Sequence, residues 1–317
     1  MKKLIWACLL LIHSASFGQD TLNTIIWEVS GKNLTKPSYL FGTNHLYGST
    51  MVYANKAIID NLSISELIVG EIPITNTDSS AIASQSNGET SKATNTDSLK
   101  PTSSSNMALQ PKVAKLKQLL SKRDYEYVVE KLKTTYQLTD ESLSSLLEYP
   151  SAYIIMIIYY KEMQNDTIVN AKMGGVQIDE YIQDYARSNG KDVKGLETPT
   201  VQDKLIQSDF FKKAKQKGFA KAVVEYLKNT ENINETIMKL STDYAKHRYN
   251  YTFNKNIPKK DKVLLLARNQ SWMKQLPAMM DKQSTFVAVG LAHLGYKQGL
   301  IMELRKLGYT VNPIAMD

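Results

Sequence analysis

Short apolar segments alternate along the chain with longer segments of helical periodicity. The apolar segments are predicted to be strands at residues 24–29, 38–41, 67–69, 286–289 and 309–311. A Gly-Lys-Asn turn at 31–33 joins the first two strands. Because strands that alternate with helices build layered sheets, this pattern predicts an α/β fold with a mixed or mostly parallel central sheet flanked by helices.

The middle of the chain is predicted to be mainly helical. Helices are predicted over residues 112–164, 179–188, 200–250, 262–280 and 300–307. Thr139 is the predicted N-cap of one helix, and Asn189-Gly190 ends another. The apolar run 152–160 is too short to cross a membrane and favours a buried helix, although the same run is compatible with a strand.

Residues 75–111 differ from the rest of the chain in composition. Of these 37 residues, 19 are Ser, Thr or Asn, none is aromatic, and the pentapeptide TNTDS occurs twice. Such a segment cannot bury enough apolar surface to offset the entropy lost on ordering. We therefore predict a disordered polar insertion here.

The first 18 residues have the pattern of a secretory signal. Lys2 and Lys3 form the basic start, residues 4–12 are apolar, and small residues precede Gln19. Nine apolar residues cannot span about 30 Å of hydrocarbon, so no stable membrane span is predicted. The expectation is a periplasmic or extracellular protein whose residues 19–317 form a single domain.

Removal of this segment changes the chemical inventory. The chain has a formal net charge of +8, four histidines and one cysteine. Cleavage lowers the charge to +6 and removes His13 and Cys8, which leaves three histidines and no thiol. Disulfides, thiol catalysis and zinc–thiolate sites are thereby excluded from the mature chain. The lysines are scattered, so no nucleic-acid partner is predicted.

Four predicted strands end in glycine followed closely by a polar residue. The segments read FGTNH at 41–45, VGE at 69–71, KGLE at 194–197 and VGLAH at 289–293. Ligands bind beyond the carboxyl ends of strands in open α/β sheets, and glycine permits close approach of the backbone to a ligand. These strand ends are the predicted site.

Two of the three mature histidines, His45 and His293, lie at these ends in a repeated Gly-x-x-His-Leu pattern. With Glu71 they could bind a divalent cation such as Mn, Fe, Co or Zn. A histidine beside a carboxylate could instead act as a general base without metal. The pattern is equally compatible with two buried imidazoles bonded to loop backbone.

The remaining candidates lie on helices. Arg268, beside Asn269, could hold a substrate carboxylate or stabilise an oxyanion, or could form an ion pair that fixes its helix to the sheet. Trp272 is predicted to be core. His247 is predicted to lie on a solvated helix face between Lys246 and Arg248.

Taken together, these segments resemble the TraB/PrgY/GumN family, which includes the Tiki proteases. The matching segments are WEV at 27–29, YLFGTNH at 39–45, LIVGE at 67–71, GV at 175–176 with Asp179, GLET at 195–198 with Gln202, RN at 268–269, FVAVGLAHLG at 286–295 and GYTV at 308–311. The chain departs from the family pattern at Ala267 and at Ile72-Pro73, which affects substrate positioning more than the core site.

The resemblance implies a fold related to the erythromycin-esterase and ChaN group, with metal-dependent peptidase activity in Tiki-like members. Carried over, His45, Glu71 and His293 are the metal ligands, Arg268 acts beside them, and Asn269 and Glu197 are the predicted substrate-binding residues. The leading hypothesis is an exported metallopeptidase that uses Mn, Co or Zn on a peptide or small-molecule substrate. The alternatives are a peptide- or haem-binding protein without turnover and a metal-free, histidine-based esterase or amidase.

Overall fold

The computed structural model describes residues 21–74, 114–210 and 213–316. The predicted signal segment 1–18 and the predicted insertion 75–111 lie outside these residues. The strands are β1 Thr21–Leu22, β2 Ile26–Ser30, β3 Ser38–Thr43, β4 Leu67–Gly70, β5 Asp192–Gly195, β6 Tyr249–Asn250, β7 Thr285–Gly290 and β8 Thr310–Pro313.

Helices make up much of the described chain. The α-helices are α1 Thr50–Tyr53, α2 Lys56–Ile64, α3 Leu116–Leu119, α4 Lys122–Thr135, α5 Asp140–Leu147, α6 Ser151–Asn165, α7 Thr167–Met173, α8 Ile178–Ser188, α9 Pro199–Phe210, α10 Lys213–Lys228, α11 Thr230–Ala245, α12 Ala267–Trp272, α13 Leu276–Met280 and α14 Leu300–Lys306. Two short 3-10 helices lie at Lys259–Asp261 and Leu291–His293, and a π-helical turn lies at Lys262–Leu266.

The described residues fall into two compact units. One lies within Ile74–Ile158 and Phe210–Thr230 and is helical, with α4 and α10 joined by a hydrogen bond from the Tyr127 hydroxyl to the carbonyl of Leu227 (3.0 Å). The other unit contains both sheets. No helix in the described ranges is long and apolar enough to cross a bilayer.

The main sheet has six strands in the order β5-β4-β7-β3-β2-β8. The pairs β5/β4, β4/β7 and β7/β3 are parallel, whereas β2 is antiparallel to both β3 and β8. All residues of β3 and β4 are buried, as expected for interior strands covered on both faces. The predicted α/β fold with a mostly parallel mixed sheet is confirmed.

Local signals place several helix ends as predicted. The Thr139 hydroxyl caps α5 by accepting the backbone N–H of Ser142 (3.2 Å). Helix α8 ends at Ser188, with Asn189 as C-cap and Gly190 at φ +67°. The apolar run after Pro150 is helical, in α6.

The single helix predicted over residues 262–280 is wrong. The chain instead forms the π-helical turn, then α12, and after a break at residues 273–275 forms α13, which carries Pro277 in its first turn. Proline has no N–H and clashes with the preceding turn, so a continuous helix through Pro277 is disfavoured. Because of this break, α12, which carries Arg268, is a separate helix from α13.

The predicted solvated position of His247 is also wrong. Helix α11 ends at Ala245, and His247 follows with φ +60° and is buried. The Lys172 ammonium donates to the Ala245 carbonyl (2.6 Å) and to Nε2 of His247 (3.2 Å). Burial, and then the neighbouring Lys172, lower the pKa of His247 from 6.5 to about 4.

We expect His247 to make the protein less stable as the pH falls from about 6.5 to about 4. In this window His247 is protonated in the unfolded chain and neutral in the folded chain. The free energy of unfolding therefore falls by at most about 1.4 kcal/mol for each pH unit that the pH is lowered. Denaturation of His247→Asn, a residue that tolerates positive φ, should show a shallower slope in this window. Wild-type and variant curves that run parallel from pH 7 to 4 would contradict the prediction.

Candidate functional site

The four glycine-terminated strands deliver their ends to one edge of the main sheet. Because β3, β7, β4 and β5 are mutually parallel, their carboxyl ends point the same way. Thr43 pairs with Gly290, and Gly70 pairs with Gly195. The residues that follow these positions are therefore brought together, all within the sheet-containing unit.

The glycines at these ends are in close contact with protein atoms. A Cβ on Gly290 would lie 3.2 Å from Oε1 of Glu71 and 3.6 Å from Cδ2 of His293. The Gly290 N–H donates to the same Glu71 oxygen (2.9 Å). At Gly42, Gly70 and Gly195 a Cβ would come within 2.3–2.6 Å of Leu291, Gln183 and Pro73 respectively. The close approach predicted at these glycines is thus observed between parts of the protein itself.

His45 forms a tight pair with Asp179. Its Nδ1 lies 2.5 Å from Oδ2 of Asp179, which stands in the first turn of α8. The Thr43 hydroxyl donates to the other carboxylate oxygen (2.9 Å), and Gln177 Nε2 lies 3.0 Å from both Oδ2 of Asp179 and Nδ1 of His45. A carboxylate can only accept, so the shorter of these contacts favours the tautomer with the proton on Nδ1 and the lone pair on Nε2.

Arg268 is held by two carboxylates. Its Nη2 lies 2.6 Å from Oε2 of Glu71 and 2.6 Å from Oε1 of Glu197, and its Nε is within 3.3 Å of both Glu197 oxygens. Gln202 Nε2 donates to both glutamates, at 3.1 and 3.2 Å. These contacts form an ion pair that fixes α12 to the sheet edge. Both carboxylate oxygens of Glu197, which was predicted to bind substrate, contact Arg268 in this ion pair.

His293 lies behind this ion pair. Its Nδ1 is 2.7 Å from Oδ1 of Asn269, its Nε2 is 3.1 Å from Nη1 of Arg268, and its ring packs 4.3 Å from that of Trp272. Nε2 is 3.8 Å from the nearer Glu71 oxygen. The side chain is 1% exposed, compared with 11% for His45.

Asn269, predicted to bind substrate, is buried and bonded to protein groups. Its Nδ2 donates to the carbonyls of His293 (3.2 Å) and Gln298 (2.9 Å). Trp272 is fully buried, as predicted. The structure thus uses α12 to fix the second Gly-x-x-His segment.

The charges of the site follow from this packing. Burial by itself would raise the pKa of Glu71, but Arg268, His293 and His45 together hold it well below its usual range. Burial, and then the charge of Arg268, lower the pKa of His293 to about 3. Glu71 is therefore ionised and His293 neutral at pH 7. His45 acts electrostatically on both groups, as expected from the pairing of β3 with β7.

Two of the three predicted metal ligands, Glu71 and His293, do not fit a divalent cation in this arrangement. The guanidinium of Arg268 contacts both Glu71 and His293, and the lone pair on Nε2 of His293 already accepts from it. A second cation at this point would face a permanent positive charge at contact distance. Among the described residues, no group of three or more His, Cys, Asp or Glu side chains is arranged to hold a metal ion.

The contacts that sequence reasoning missed come from the helices after the strands. Asp179 and Gln202 lie in segments that carry the family resemblance but were not assigned to the site, and Thr43 and Gln177 were not singled out. One usable signal was present for Asp179, since an acidic residue in a first helical turn follows two glycines at 174 and 175. Nothing in the spacing connects Gln202 to Glu71, 131 residues away.

A family model described as the TraB/PrgY/gumN family matches residues 25–313. This range includes every site residue named above. No curated protein and no solved structure matches the chain.

Proposed function

The chain belongs to the TraB/PrgY/gumN family, and from that membership and the site geometry we propose that it is a hydrolase of ester or amide bonds that uses His45 as general base. The observation that carries the proposal is the 2.5 Å contact between Nδ1 of His45 and Asp179. A carboxylate in this position orients the imidazole and stabilises the imidazolium formed when Nε2 takes a proton.

The reaction needs no group beyond this chain and water. Nε2 of His45 removes a proton from water, and the resulting hydroxide attacks the carbonyl carbon of the substrate. The tetrahedral intermediate then collapses, and the imidazolium returns the proton to the departing alcohol or amine. Arg268, fixed by Glu71 and Glu197, supplies a positive charge that favours the developing oxyanion.

The test is hydrolysis of a panel of chromogenic esters and peptide amides by the mature protein, before and after exhaustive chelation. We expect turnover that survives chelation and that falls by about 10²–10⁴-fold in His45→Ala. As a matched control, His247→Asn changes a buried histidine outside the site and should leave turnover within about threefold of wild type. Turnover that His45→Ala leaves unchanged would refute the base assignment.

The same assay distinguishes the metal-dependent peptidase that the resemblance implies. That mechanism requires activity to disappear with the chelator and to return with Mn, Co or Zn. A binding protein without turnover would instead give saturable binding of a peptide or haem that is lost in His45→Ala, and no product.

We further propose that the protein is exported after cleavage before Gln19. The basic start, the apolar residues 4–12 and the small residues before Gln19 support this. Intact-mass analysis of protein recovered from the periplasm or the medium should give the mass of residues 19–317. Full-length protein retained in the cytoplasm would contradict it.

A further inference from the structure

The two Gly-x-x-His segments hold their histidines in different surroundings. His45 is 11% exposed and pairs with a carboxylate, whereas His293 is 1% exposed and has no carboxylate on Nδ1 in the described structure. Both segments follow neighbouring parallel strands, with Thr43 opposite Gly290 and Gly42 opposite Val289. The two histidines differ in the side chains that contact their ring nitrogens.

Both nitrogens of His293 are used by residues of α12. Nδ1 donates to Oδ1 of Asn269, which leaves Nε2 as acceptor for Nη1 of Arg268. Asn269 is itself held by two backbone carbonyls through Nδ2, so its oxygen must face the histidine. The ring therefore offers its lone pair to the guanidinium and to no incoming ligand.

Packing prevents the ring from turning away from this contact. Trp272 lies against one side of it, and the Arg268 guanidinium stacks over the same indole, 4.6 Å from its centroid. Arg268 is thus held from three directions, by Glu71, Glu197 and His293. The two carboxylates balance the charge of the guanidinium, and His293 is the neutral acceptor for its Nη1 group.

We propose that His293 is a positioning residue that orients Arg268 and is neither a metal ligand nor a base. The assignment gives the two copies of the repeated motif different roles. His45 is the general base, and His293 holds in place the Arg268 guanidinium, whose charge favours the oxyanion. Its catalytic consequence rests on the proposed hydrolase function, whereas its structural part does not.

The activity test compares His293→Gln with His293→Leu. The Gln amide oxygen can accept from Nη1, so kcat should stay within about threefold of wild type, while Leu removes the acceptor and should lower kcat by about 10- to 100-fold with little change in KM. Added imidazole should restore part of the activity of His45→Ala and none of that of His293→Ala, because the second ring is buried. Equal losses in the Gln and Leu variants, or rescue of His293→Ala, would overturn the proposal.

A second measurement does not depend on turnover. In ¹⁵N-edited NMR spectra, a guanidinium that is fixed in orientation gives separate signals for its Nη groups. The signals of Arg268 are those that disappear in Arg268→Lys. We expect resolved signals in wild type and His293→Gln and averaged signals in His293→Leu. Resolved signals in the Leu variant would overturn the proposal, and so would one equivalent of Co²⁺ bound by wild type and lost in His293→Gln. If no substrate is turned over but the NMR pattern is as expected, the proposed function fails and this assignment stands.

Discussion

Replacing Arg268 with methionine is expected to lower the free energy of unfolding by about 3–5 kcal/mol at pH 7, measured by urea denaturation. Methionine keeps the packing against Trp272 but leaves Glu71 and Glu197 without their cation. These carboxylates are 11% and 8% exposed, so solvent can replace little of the lost interaction. Removing one member of a buried ion pair costs more than the pair itself contributes, because an uncompensated charge stays buried.

The loss should depend on pH. In wild type the pKa of Glu71 is held below its ordinary 4.5, so this carboxylate stabilises the fold above about pH 4.5, and the contribution is lost as the pH falls further. In Arg268→Met that contribution is absent, so the difference between variant and wild type should shrink towards acid pH. A difference that stays constant as the pH falls from 5 to 3 would argue against an electrostatic origin.

Two comparisons isolate the cause of the loss. Arg305→Met removes another arginine that packs over Trp27 and donates to the Val311 carbonyl, and it should cost clearly less. Adding Glu71→Gln and Glu197→Gln to Arg268→Met should recover part of the stability, because neutral amides are cheaper to bury than carboxylates. Arg268→Met and Arg305→Met losing equal stability would show that packing, and not charge, is what Arg268 contributes.

The parts of the site that sequence reasoning located are those encoded locally. A buried strand followed by glycine and a polar residue can be recognised from a few adjacent residues, and four such ends predicted one edge of one sheet. The partners of these residues were not encoded in this way. Asp179 meets His45 because α8 packs Ile178, Ile182 and Ala186 inward, across 134 positions of sequence.

The same difference explains the role of Arg268. Its position in a helix before the last parallel strand could be predicted from the sequence. The choice between an ion pair and a substrate contact could not, because it depends on where Glu197 points. Glu197 follows β5, the edge strand beside β4, so its contact with the guanidinium depends on the order of the strands in the sheet. For His247, a helix that ends at Ala245, two residues before the histidine, was enough to turn an expected surface residue into a buried one.

On the proposed mechanism, Asp179→Asn is expected to lower kcat by about 10³–10⁴-fold with KM changed by less than about threefold, as measured with the best substrate of the panel. The amide can donate to Nδ1 and so favours the tautomer whose Nε2 carries a proton and cannot act as base. It also withdraws the negative charge that would stabilise the imidazolium. Both effects act on the chemical step and not on substrate binding.

The matched control is Asp184→Asn in the same helix. Asp184 pairs with Arg187 at 2.8 Å and is 38% exposed, so its replacement tests the loss of a carboxylate from α8 without touching His45. We expect kcat within about twofold of wild type, since exposed ion pairs contribute little. An Asp179→Asn enzyme that keeps more than about a tenth of wild-type kcat would show that the carboxylate only packs beside the ring.

The double variant His45→Ala/Asp179→Asn gives the sharper result, because residues that act as one unit lose their effect together. Once the imidazole is gone, Asp179 has no proton to orient and no cation to stabilise, so the double variant should be no slower than His45→Ala alone. If the two losses multiply, Asp179 would have a second role, and the Thr43 hydroxyl, which donates to its other oxygen, would be where to look for it. Non-additivity, and not the size of either single loss, identifies His45 and Asp179 as one catalytic pair.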